Sequence, residues 1–126
     1  MGLVYADIIL ANPREAKLSP LSVSALVDTG SLMLCLPQHV VLQLGLEILE
    51  EREVTLADGK KQRVPYVGPV EVRFANRRCF VGALMLGDEP LLGAVPMEDM
   101  DVLVHPASQT LMVNPANPNM PCHVVK

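Results

Sequence analysis

Apolar residues recur along the chain with a period of two more often than with the period of a helix, so most of it reads as β-strand. In Leu21–Val27, the apolar Leu21, Val23, Ala25 and Val27 alternate with Ser22, Ser24 and Leu26, the pattern of a strand with one buried face. Residues 3–10 form a second strand candidate. The Asn12-Pro13 turn and a charged stretch to Lys17 separate the two, which should pair as a hairpin. After Asp28, residues 32–36 are apolar throughout, as expected of a strand buried on both faces. Pro37 then opens a short helix over 38–44 as its first residue, and Gly45 stops it.

Residues 47–57 and 60–67 flank Asp58-Gly59, a dipeptide suited to the positive φ values of a two-residue hairpin turn. The arms carry Glu50, Glu51, Arg52, Glu53, Lys60, Lys61 and Arg63, so this hairpin should project into water. A better-buried hairpin follows. Val70, Val72 and Phe74 alternate with Glu71 and Arg73, a turn falls at Asn76-Arg77, and the chain returns over 79–86 before Gly87-Asp88-Glu89-Pro90 breaks it. Residues 91–95 are a short apolar run, and Pro96 begins a helical turn that Leu103 and Val104 end. Residues 111–113 are a last strand candidate, after which Asn114, Pro115, Asn117, Pro118 and Pro121 cannot sustain a regular element. The expected organisation is a single domain over residues 1–113 with a Pro/Asn-rich tail over 114–126.

A chain of 126 residues, half of them hydrophobic and 19% charged, has the material for one core and is not a disordered sequence. Two Phe, two Tyr and no Trp leave few faces on which bases could stack, and a net charge of -4 repels phosphate, so nucleic acid is not an expected partner. The N-terminus lacks a basic stretch followed by an apolar one, and no apolar run spans a bilayer, which needs about 18 residues. The expectation is a soluble, cytoplasmic chain with no membrane partner. Cys35, Cys79 and Cys122 are odd in number and form no CxxC pair, which suits free thiols. Cys35, between Leu34 and Leu36, reads as an inert core thiol, and Cys122-His123 as a polar dipeptide rather than a metal site.

The candidate chemistry lies in Leu26-Val27-Asp28-Thr29-Gly30-Ser31. Continuing the alternation of the strand places Asp28 on the face of Ser22 and Ser24, opposite the apolar one. A Thr-Gly turn can hold a carboxylate against backbone N–H groups and hydroxyls. A common turn after a strand would explain the same tripeptide with no function at all. The run Val27-Asp28-Thr29-Gly30-Ser31 and the later Leu91-Leu92-Gly93, in that order and followed by a helix near Pro96, together resemble the two signature segments of the retropepsin-like aspartic proteases of clan AA. The resemblance covers about residues 1–105 and is greatest to the small bacterial members.

It implies an all-β fold, a closed barrel with one or two short helices that works as a homodimer. The implied activity is that of an aspartic endopeptidase acting on an extended peptide or protein, with no cofactor and no metal. Asp28 would be the catalytic carboxylate, Thr29 would brace the loop across the partner subunit, Gly30 would admit the substrate backbone, and Ser31 would bond the outer aspartate oxygen. Ala57, Asp58 and Gly59 match the flap over the substrate, and Leu91, Leu92 and Gly93 the scaffold behind the loop. Leu56 and Val95 read equally well as pocket wall or as core.

One carboxylate is not enough for metal-free peptide hydrolysis, because one acid must take a proton from water while another gives one to the carbonyl oxygen. No second Asp-Thr-Gly occurs in the sequence, so the missing acid must come from a second copy across a twofold axis. The alternative is a non-catalytic peptide-binding or assembly module that retains the fold. A third is a structural β domain in which the acid caps a turn.

Overall fold

The computed structural model describes residues 2–125. In chain order these form β1 (Val4–Ala11), β2 (Leu21–Val27), β3 (Leu34–Leu36), α1 (Gln38–Gln43), β4 (Glu47–Thr55), β5 (Lys61–Phe74), β6 (Arg77–Met85), β7 (Leu91–Leu92), α2 (Ala94–Met100), β8 (Val102–His105) and β9 (Thr110–Val113). β1 and β2 pair antiparallel from Val4↔Val27 to Leu10↔Leu21, as the alternation requires. The sheet then runs β2-β7-β3-β6-β5, and β5 returns to β1 through Ile9↔Arg73, Leu10↔Val72 and Ala11↔Glu71. Six strands thus close a barrel, with β4 outside it on β5.

Closure follows from the inward faces. Ile8, Leu10, Leu34, Leu36, Val67, Val70, Val72 and Leu92 are fully buried and share one core with Val40 and Val41 of α1 and Met97 and Met100 of α2. Each such side chain contributes roughly 1.5–3 kcal/mol on burial. Asn12 ties the first hairpin to α1: its buried Nδ2 donates to Leu44 O at 2.9 Å and Gly45 O at 3.1 Å, satisfying carbonyls that the helix end leaves free. β4 is exposed along almost its whole length, as its charges demand.

Several local expectations are corrected. β5 is one strand of 14 residues, so the two hairpins share it, and a register shift between Val67 and Val70 takes up the irregularity. The hairpin at Asp58-Gly59 closes on Leu56 N donating to Lys60 O at 2.8 Å, with Gly59 N donating to Leu56 O at 2.9 Å, a three-residue loop in which Gly59 takes φ 86°. Pro37 precedes α1 in extended conformation (ψ 159°) and caps it instead of lying inside. The turn after β5 falls at Ala75-Asn76, and Arg77 already belongs to β6.

β3 is shorter than the apolar run that contains it, and Leu32 is 64% exposed, because residues 31–33 cross to meet the start of α2 and leave the sheet. α2 begins before Pro96, which stands in the first turn, where a missing N–H breaks no intrahelical bond. The helix ends at Asp101 in the left-handed region (φ 55°). Leu103 and Val104 therefore belong to β8, where they pair with Met112 and Leu111 of β9. Residues 114–125 carry neither helix nor strand. No helix among the described residues is long and apolar enough to cross a membrane.

Candidate active site

β2 ends one residue before Asp28, and β7 holds that end from behind. The two strands are parallel, with Leu26↔Leu91 and Val27↔Leu92 in register. Leu26 N donates to Pro90 O at 2.9 Å, and Asp28 N donates to Leu92 O at 3.0 Å. The chain then turns sharply, with Ser31 N donating to Asp28 O at 3.1 Å. Both carboxylate oxygens are engaged by this turn: Gly30 N donates to Oδ1 at 2.9 Å and Ser31 Oγ to Oδ2 at 3.3 Å. The half-buried carboxylate is therefore oriented by its own loop.

Glycine is required behind the loop. A Cβ on Gly93 would lie 2.4 Å from Met33 O and 2.8 Å from Leu32 C, so only glycine lets residues 32–33 pass over it. Ala94 N and Val95 N, at the start of α2, donate to Ser31 O and Leu32 O, each at 2.8 Å. Leu92 is fully buried in the core and Leu91 is half-buried. The two sequence-predicted segments thus meet in space.

Gly30 and Ser31 open onto a cleft of about 430 Å³. Leu32, Met33, Cys35, Leu84 and Leu86 line it from the barrel, and residues 52–56 from the projecting hairpin. An adjoining hollow of about 320 Å³ shares Ser31, Cys35, Thr55, Leu56 and Leu86 and reaches Ala57, Asp88, Glu89 and Leu91. Ala57 and Leu56 are therefore cleft wall. Asp58 and Gly59 lie at the exposed tip outside both linings, with Asp58 Oδ1 accepting from Lys60 N at 2.9 Å. Val95 is 39% exposed and lines a separate hollow with Tyr66, Phe80 and Asp99, so it is not core.

Thr29 is exposed on another side of the loop, in a groove of about 260 Å³ with Ala94, Met97, Glu98, Val102, Leu103 and Val104. Cys35 is half-buried on the cleft wall, not a core thiol, and burial raises its pKa. Arg52 was not among the candidates. Its guanidinium stacks 3.7 Å from the centre of the Tyr66 ring and donates to Glu50 Oε2 at 2.8 Å, an ion pair that raises its pKa further. The alternation of β4 sets Arg52 and Glu53 on opposite faces, yet both line the cleft, because the projecting hairpin turns its edge toward it. Among the described residues no group of three or more His, Cys, Asp or Glu could hold a metal ion.

No family model matches the chain, and no curated protein matches it in sequence. Among solved structures, the retroviral protease-like domain of Ddi1 from Leishmania major is similar at a TM-score of 0.57 and 12% identity, over 95% of this chain and 94% of that one. The simian foamy virus protease gives a TM-score of 0.46 at 16% identity, over 73% of this chain and 91% of its own. A retropepsin-like aspartic protease from Rickettsia conorii gives 0.43 at 18% identity, over 73% of this chain and 78% of its own. The chain has the retropepsin-like fold, a mostly β closed barrel with two short helices.

Proposed function

We propose that the chain is one half of an aspartic endopeptidase, whose carboxylate dyad forms when two copies bring their Asp28 side chains together. The observation that carries this reading is the Asp28 carboxylate, held at both oxygens by the N–H of Gly30 and the hydroxyl of Ser31, two residues that line the neighbouring cleft. In the proposed reaction, water lies between the two acids, one ionised and one protonated. The ionised acid takes a proton from water as the water oxygen bonds to the scissile carbonyl carbon. The other gives its proton to the carbonyl oxygen, forming a gem-diol. Collapse of the diol breaks the C–N bond: the first acid returns its proton to the leaving nitrogen, and a diol proton restores the second.

An extended substrate would lie between the 47–60 hairpin and the Asp28 loop, its backbone bonding like an added strand and its alternate side chains entering the hollows. The second copy would meet this one at the side of the loop that bears Thr29. Three features support that seam: Thr29 is exposed there, β8 borders the same groove, and Leu103 and Met112 are paired on the outer face of the β8–β9 hairpin while Val102 and Leu111 enter the core.

The test is Asp28→Asn assayed against a peptide library across acidic and neutral pH. Cleavage should fall below detection while circular dichroism and sedimentation stay unchanged. Undiminished cleavage would overturn the assignment, and peptide binding without turnover in the wild type would favour the non-catalytic module.

A further inference from the structure

We infer that the Asn/Pro-rich segment after β9 is a strap that fixes the β8–β9 hairpin, and that Asp101 is the positioning residue on which association of two copies depends. The inference rests on the reading above, in which the outer face of this hairpin meets a second chain.

Asp101 stands between α2 and β8, and Asn114 follows β9, so the pair forms the two feet of the hairpin. Asn114 N donates to Asp101 O at 3.1 Å, and Asn114 Nδ2 to Asp101 Oδ1 at 3.0 Å. The other carboxylate oxygen, Oδ2, accepts from Asn117 Nδ2 at 2.7 Å and from Cys122 N at 3.0 Å. One side chain therefore gathers three points of the segment onto the end of α2.

The far side of the strap is tied to the turn between β5 and β6. Asn76 Nδ2 donates to Pro118 O at 3.0 Å, and Arg77 Nη2 donates to Asn117 O. Arg77 is 2% exposed, and its Nε and Nη1 find no partner among the described residues. Without Asn117 O it would be a buried cation with still fewer acceptors, which is costly. His123 Nε2 lies 2.8 Å from Asp99 O and extends the same attachment.

A two-stranded hairpin has little stability of its own. Its angle to the barrel is set by Val102 and Leu111 in the core and by these bonds at its feet. A hairpin released from the strap must be ordered each time two copies meet, which weakens association without altering the chemistry inside an assembled pair.

The test is sedimentation equilibrium together with cleavage as a function of subunit concentration, on the full chain with Asp101→Ala, Asn117→Ala and the wild type. Asp101→Ala should raise the dimer dissociation constant about tenfold, and Asn117→Ala by a smaller factor, while kcat per dimer at saturating subunit concentration stays within about twofold. Asn117→Ala serves if Asp101→Ala fails to fold. Unchanged dissociation constants in a folded variant overturn the inference even if the wild type cleaves peptides. A weakened dimer in a chain that never cleaves upholds the inference and removes the protease reading. A wild type that never associates overturns both.

Discussion

Gly93 and Met33 touch backbone to backbone: a Cβ on the glycine would stand 2.4 Å from the Met33 carbonyl oxygen. This contact couples the strand that supports Asp28 to the segment that lines the cleft, and it leaves no flexible side chain to move aside. Gly93→Ala is therefore expected to cost at least the roughly 1–3 kcal/mol typical of overpacking, and to displace the Asp28 loop. Urea denaturation gives the first quantity. Loss of cleavage at temperatures where the variant remains folded gives the second.

Gly82 and Tyr66 are matched in a different way. A Cβ on Gly82 would lie 2.0 Å from the Tyr66 hydroxyl oxygen, and Arg52 stacks on the same ring. Gly82→Ala should cost about 1–3 kcal/mol with Tyr66 present and much less in a Tyr66→Ala background. A double-mutant cycle in urea should therefore return a coupling of about 1 kcal/mol or more.

Asp101 gives the protein an acid-sensitive attachment. The Cys122 N–H first, then the side-chain amides of Asn114 and Asn117, with the nearby charge of Arg77, lower its pKa from the ordinary 3.8 to about 2. A depressed acid stabilises the folded state fully above its unfolded pKa and loses that contribution as pH falls through the folded one. The tail should stay protected at pH 5 and become accessible between about pH 4 and 2, read by hydrogen exchange at residues 114–122. In Asp101→Asn the pH dependence across that window should disappear.

The three thiols should differ in reactivity, because the thiolate is the nucleophile. Cys122 is exposed, Cys35 is half-buried with a pKa raised by burial, and Cys79 is buried with its pKa pushed up to about 12, by burial and then by the charge of Asp99. A disulfide reagent at neutral pH should consume Cys122 quickly, Cys35 slowly and Cys79 only after denaturation. A peptide mimic in the cleft should slow Cys35 further, and equal rates for all three would contradict the burial.

The strands were legible in the sequence where the alternation runs over several residues. Leu21–Val27 alternates cleanly, and its partner Val4–Ala11 pairs with it in the expected hairpin. The pattern failed where backbone crosses backbone. Leu32 looked like core because its neighbours are apolar, yet the crossing over Gly93 turns it to solvent. It failed again at Leu103 and Val104, whose strand character depends on pairing with β9 and not on their own short run.

The resemblance to a known family paired the later Leu-Leu-Gly with Asp28, and the sequence alone determined that an acid follows a one-faced strand and that the charged hairpin stays in water. The latter two are local matters of period, turn chemistry and charge. Only the tertiary structure decided that residues 32–33 cross over Gly93, that Cys35 and Leu56 share a cleft wall, and that Asp101 gathers the tail. Those contacts join residues distant along the chain or fix side-chain directions, and both are set by how the barrel closes on itself.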